Sequence, residues 1–266
     1  MKNVIKRIKA ILTALMYVAI YDAVAFIVQL GFVFWKRGAE GVTLQSAYES
    51  MTDGSYALMV ISMIISFWIF LIVGKIRKKP LYTFISEEKY PFMVYVMSAL
   101  MAIGLRMLVA VYYYFSGSVA VLRESIEKAA EFSPSLNTPA ALLIALFGTV
   151  VMAPIFEEVL FRGIVMRELL NIMRPWAAIL LQGIIFGVAH GVLFQSFFAG
   201  MVGVALGIIY YKTGDIKTAM VCHGMFNYSV VITGAVSAPV TAVVFTVFGV
   251  LLTALSMTYI IKNRKN

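Results

Sequence analysis

Two adjacent carboxylates interrupt an apolar run in Pro154-Ile155-Phe156-Glu157-Glu158-Val159-Leu160-Phe161-Arg162. Neither can be buried there without a partner. Helix neighbours point about 100° apart, so the two acids face different directions. Glu158 and Arg162 are four residues apart with the acid first, the favourable order for an ion pair. Arg162 should therefore neutralise Glu158 and leave Glu157 without a local partner. A carboxylate desolvated in this way can act as a general base near neutral pH. The competing reading is a paired-charge staple with Glu157 capped by a hydroxyl.

The chain has only two histidines, and each stands at helical spacing from a second side chain. Phe186 and His190 share a face, as do His223 and Asn227. An imidazole and a carboxamide that point the same way in an apolar setting need a common partner. Gly183, Gly187 and Gly191, four apart, allow a neighbouring helix to approach closely. A histidine in such a run also fits a plain packing role. Cys222 precedes His223, but adjacent helix positions do not face each other. A Cys–His nucleophile pair would have to recruit His190, and a buried inert thiol competes with it.

The elements that must hold these groups are apolar helices. Of 266 residues, 62% are hydrophobic and 13% charged, whereas soluble domains run near 45–50% and about 25%. The composition excludes a water-soluble globule and a disordered chain. It implies an all-α, polytopic membrane protein with about eight transmembrane helices, at about 10–34, 55–74, 92–115, 140–166, 176–193, 197–211, 218–234 and 239–261. The runs at 197–211 and 218–234 are short for a crossing. With the N-terminus inside, sixteen lysines and arginines fall on the cytoplasmic side and four in outer loops. This asymmetry predicts an even number of spans, cytoplasmic termini and a multi-pass protein of the cell membrane. The net charge of +9 then reflects orientation in the bilayer and not a nucleic-acid partner. The basic start followed by a long apolar run reads as an uncleaved first span. The chain divides into N-terminal helices and an interfacial loop (1–138), a helical core with the three motifs (139–234), and a last helix with a basic tail (235–266). Val121 to Phe132 has i,i+4 charge pairs and reads either as a short interfacial helix or as a solvated connector.

Two charges outside the motifs, Asp22 and Arg106, fall at similar depth in the first and third spans, near 18–21 Å by helix rise. One arrangement makes those helices neighbours and pairs the two; the competing one sends Arg106 to the outer interface and has Asp22 cap a tyrosine hydroxyl. The motif residues do not match so simply. Counted from the cytoplasmic ends, Glu157 lies about 15 Å deep, His190 about 22 Å and His223 about 9 Å. Tilt, a kink at Pro154 or a submerged loop must bring them together, with the two imidazoles no more than about 12 Å apart, if they share one water or metal.

Taken in order, Glu157-Glu158…Arg162, Phe186…His190 and His223…Asn227 resemble the CPBP intramembrane proteases. That family includes type II CAAX prenyl endopeptidases and bacterial bacteriocin-processing or self-immunity proteins. The resemblance covers about residues 139–234. It implies peptide hydrolysis by an activated water, with a peptide or protein tail at the bilayer as substrate. Glu157 with His190 would polarise the water, and His223 and Asn227 would stabilise the oxyanion. Glu158, Arg162 and Phe186 would support them. The resemblance also implies that Glu157, His190 and His223 can hold a divalent metal such as zinc in a three-ligand open site. The chain lacks His-Glu-x-x-His, and a metal-free glutamate mechanism stays open beside it. Two other functions compete with the protease. One is a non-catalytic immunity or scaffold protein of the same fold. The other is a transporter using the intramembrane charges as a relay. Substrate identity and oligomeric state are not written in the sequence.

Overall fold

The computed structural model describes residues 2–79, 90–131, 134, 136–232 and 238–263. They form ten helices and no strand: α1 (Lys2–Glu40), α2 (Leu44–Asp53), α3 (Ser55–Ile76), α4 (Phe92–Ser116), α5 (Ala120–Glu131), α6 (Pro139–Leu170), α7 (Pro175–Val188), α8 (Leu193–Thr213), α9 (Ile216–Ile232) and α10 (Pro239–Lys262). Six of them, α1, α3, α4, α6, α8 and α10, are long and apolar enough to cross a membrane. The protein is an all-helical membrane protein. A helix stands at each of the eight expected places, but α7 has 14 residues and α9 has 17. Both fall short of the roughly 20 residues of a full crossing.

The distribution of short and long helices differs from the expectation. The run at 197–211 belongs to the 21-residue α8, and the run at 176–193 stops at Val188. The cause is local: Gly191 adopts φ +70°, a left-handed turn open to glycine at no steric cost. Residues 233 and 234 of the expected seventh span, Phe132, and Lys89, Arg264 and Lys265 of the charge tally lie outside the described residues.

α6 is the centre of the bundle. α1 and α3 pack on one side of it, α7 and α9 on the other. α8 covers α7, and α4 covers α9 with α10 outside it. Two apolar cores result. One, between α1, α3, α6 and α7, is built on Tyr17, Phe70, Phe156, Leu160 and Phe186. The other joins α4, α8 and α9 through Met101, Leu105, Val202, Leu206 and Phe226. The charged residues of the three motifs lie between these two cores.

Small residues set the close helix contacts. A Cβ on Gly187 would collide with the Ser196 carbonyl oxygen and come within 3.0 Å of Gly200. A Cβ on Gly104 would stand 2.9 Å from the Gly249 oxygen. Backbones in lipid approach this closely only where side chains are absent.

Two outer helices cap the bundle. α5 forms where the amphipathic pattern placed it, with Glu124 and Lys128 paired at 2.7 Å. Its Ser125 hydroxyl accepts the Phe194 N–H at 3.1 Å, so α5 docks on the start of α8. α2 was not anticipated. Its signal is the N-cap Thr43, whose hydroxyl accepts the Ser46 N–H at 3.2 Å.

The expected pairing of Asp22 with Arg106 does not form. α1 packs on α2, α3 and α6, whereas α4 packs on α8, α9 and α10, so the central helix separates the two charges. Equal depth was a poor guide because α1 has 39 residues, a length of about 58 Å. That is nearly twice the hydrocarbon thickness, and counting from one end does not fix where Asp22 sits.

The packing separates two kinds of glycine. Gly187→Ala must overpack α7 against α8, at a cost of about 1–3 kcal/mol. Gly31→Ala on α1 has nothing within 4 Å and gains helix propensity. Thermal denaturation in micelles should show a loss of several degrees for the first and none for the second.

Candidate active site

The site begins with a proline. The Ala153 N–H donates to the Gly148 carbonyl, five residues back. This is the spacing of a π-helical turn, which runs over Phe147–Met152. The next bond in that register would run from residue 154 to the Thr149 carbonyl, and Pro154 has no N–H. Asn227 of α9 takes the place of the missing donor, its Nδ2 donating to Thr149 O at 2.8 Å. Gly224, one turn before Asn227, lets the helices touch: a Cβ there would lie 2.9 Å from Val150 O. A second π-helical turn, Val159–Met166, follows the glutamates. Wide turns of this kind recur at functional sites, and here they bracket Glu157 and Glu158.

Between them the ion pair forms as the spacing predicted. Arg162 Nη1 donates to Glu158 Oε1 at 2.8 Å, and both side chains are wholly buried. His223 meets the same oxygen, its Nδ1–H donating at 2.9 Å. That bond turns the opposite edge of the ring, Nε2, toward Glu157 Oε2 at 3.7 Å. The separation is beyond a direct hydrogen bond and within the span of one bridging oxygen. Glu157 is 18% exposed and His223 4%. The two glutamates therefore differ as their positions on the helix demanded: Glu158 is sequestered and its Oε1 doubly bonded, and Glu157 is partly exposed, with the oxygen that faces His223 buried and without a hydrogen bond among the described residues.

Phe186 ties the parts together. Its ring centre lies 4.8 Å from the Arg162 guanidinium carbon, 4.8 Å from the His190 ring and 5.7 Å from the His223 ring. The two histidines pack on one aromatic ring, which keeps them inside the 12 Å limit. His190 is not within a span. It follows the end of α7, in the turn closed by Gly191, and its Nδ1–H donates to the Phe186 carbonyl at 2.8 Å. The imidazole thereby satisfies one of the orphan carbonyls at a helix C-terminus. This turn answers the depth mismatch, since α7 needs only to reach the site and not to cross.

Not every expected group converges. His223 and Asn227 share the face of α9 toward α6 but bond to different partners. His223, and not His190, is the imidazole beside Glu157. Among the described residues no three His, Cys, Asp or Glu side chains are placed to hold one metal ion. As placed, Glu157, His190 and His223 are not a ligand set. Cys222 is buried in the core beside α4, the position of an inert thiol.

Two participants were missed in the sequence. Gln182 is fully buried and donates to the Gly203 carbonyl at 2.8 Å, the oxygen that also accepts Arg162 Nη2 at 2.7 Å. Its signal was legible: a lone amide in an apolar helix, four residues before Phe186. Tyr21 of α1 packs its ring 4.8 Å from Phe156 and lies within electrostatic reach of Glu157. No spacing rule connects residue 21 to residue 157.

Residues 139–229 match the model of a family described as type II CAAX prenyl endopeptidase Rce1-like. The match runs from the start of α6 through Asn227 of α9 and contains all three motifs. It bears out the resemblance drawn from Glu157-Glu158…Arg162, Phe186…His190 and His223…Asn227, and the family is one of CAAX-type proteases. No curated protein and no solved structure matches the chain.

Asn227→Ala leaves Thr149 O without a donor, a loss of about 1–3 kcal/mol. Pro154→Ala restores an N–H in the helix. In the double variant the cost of losing Asn227 should shrink to less than half. Additive losses in the thermal-denaturation cycle would show that Asn227 is not compensating for Pro154.

Proposed function

We propose that the chain is an intramembrane endopeptidase that hydrolyses a peptide bond in a membrane-associated peptide or protein tail. The observation that supports this most is the asymmetry of the glutamates. One carboxylate is locked by a guanidinium and an imidazole, and its partly exposed neighbour holds an oxygen without a hydrogen bond beside the free edge of that imidazole.

In the proposed reaction a water sits between Glu157 Oε2 and His223 Nε2. Glu157 takes its proton as the water oxygen attacks the peptide carbonyl carbon. His223 is a positioning partner for that water, held in one orientation by Glu158. The His190 imidazole packs on the same Phe186 ring; with its Nδ1–H held by the Phe186 carbonyl, it would stabilise the developing oxyanion from Nε2 as the doubly protonated ring. The C–N bond then breaks, and the proton held by Glu157 passes to the leaving amine. Asn227 acts through the helix, keeping the wide turn that presents Glu157. The name of the matched family makes a prenylated tail the first substrate class to test, and the cell membrane is the proposed location.

Glu157→Gln keeps shape and removes the base. Cleavage of a membrane-anchored peptide panel should fall by at least about 10²-fold with an unchanged melting temperature. Glu158→Gln should chiefly lower folded yield, because Arg162 becomes a buried unpaired charge at a cost of about 3–5 kcal/mol. Equal activity loss at equal, normal stability would contradict this division. A wild-type protein that binds these peptides and cleaves none would favour the immunity or scaffold reading.

Zinc chemistry has its own measurement. The spacing of the donors supports a glutamate mechanism, so exhaustive EDTA dialysis should leave cleavage within about twofold. Loss of activity restored by added zinc would instead assign the ion to Glu157, His190 and His223.

A further inference from the structure

A second cavity lies away from Glu157. It lies further along α6, where that helix ends beside the start of α1 and the end of α3, and holds about 980 Å³. Six cations line it: Lys6, Lys9, Arg77, Lys78, Lys79 and Arg167. One carboxylate, Glu168, faces them. Glu168 is buried and accepts Lys79 Nζ at 2.8 Å and Arg77 Nη2 at 3.3 Å, and Arg77 also donates to the Thr13 hydroxyl at 3.2 Å. These contacts fix two cations in the wall. Lys6, Lys9 and Lys78 have no acidic partner among the described residues. Thr13 and Asn171 are the uncharged polar groups, and the rest of the lining is mainly apolar, with Ile5, Tyr17 and Ile164 among it.

Lys78 adds an independent observation. The Lys79 N–H donates to Gly74 O at 2.9 Å and the Lys78 N–H to Lys75 O at 3.1 Å. This is the Schellman closure of a helix, with Lys78 at the position glycine favours. Its φ is +56°, strained for any residue with a Cβ. The fold therefore keeps a lysine at the cavity where the backbone prefers none.

We propose that this cavity binds the phosphate group of an anionic phospholipid, with the lipid's apolar part along the apolar lining. Basic pockets between membrane helices at the bilayer surface suit such headgroups. The wall is half apolar and opens where three long apolar helices end, which favours a lipid over free phosphate.

The full chain in neutral detergent micelles supplies the test. Phosphatidylglycerol should raise the melting temperature by at least about 3 °C, while phosphatidylcholine and inorganic phosphate at equal concentration should not. Lys78→Gly relieves the left-handed strain, so without lipid it should melt no lower than the parent. Its response to phosphatidylglycerol should fall by half or more. The paired control Lys212→Ala/Lys262→Ala removes charge outside the cavity and should keep the full response. An equal shift with inorganic phosphate would overturn the lipid assignment. An equal shift with phosphatidylcholine, or equal losses in Lys78→Gly and the control, would overturn the site.

Discussion

One buried carboxylate oxygen organises the centre of this protein. Glu158 Oε1 accepts from both Arg162 and His223 with no water access. Burying such charges is expensive, and apolar replacements are often at least as stable. What the arrangement supplies is position. Arg162 reaches on to Gly203 O, so a single network ties α6 to α8 and α9. It orients one imidazole edge and leaves the adjacent Glu157 as the acid with an oxygen free of hydrogen bonds among the described residues. Phe186 closes the network from α7 by lying against the guanidinium and both histidines.

Much of this was legible in the sequence, for identifiable reasons. Apolar composition and run length gave an all-helical membrane bundle, and i,i+4 spacing gave the Glu158–Arg162 pair. The order of the three motifs gave the resemblance that the family match over residues 139–229 bears out. What failed was arithmetic that treats helices as rods counted from one end. It placed His190 inside a span, although a left-handed glycine ends the helix before it. It matched Asp22 to Arg106 by depth, although α6 stands between their helices. Contacts between distant segments, such as Tyr21 with Phe156, leave no periodic trace and could not be read.

Pro154 shows how a feature can be noticed and still be misread. In the sequence it suggests a kink. In the fold it is associated with a widened turn whose unsatisfied carbonyl is answered from another helix. Asn227 had looked like a second polar group aimed at a ligand beside His223. The backbone account is more economical, since every buried carbonyl in a membrane helix needs a donor.

The two π-helical turns in α6 also bear on how this chain can change over time. A π turn is an α-helix with one residue in excess. The segment that carries Glu157 and Glu158 is therefore phased by insertions on both sides. Loss of a single codon within 147–152 would be absorbed as that stretch returned to α geometry, whereas loss of one in the regular α-helix before it, within 139–146, would swing one side against the other by about 100°. Glu157 would then face a different neighbour with no residue near it altered. In this helix substitutions are filtered by shape, whereas changes in length are filtered by angle. Drift in the core of the protein is free to be chemical but not to be metrical.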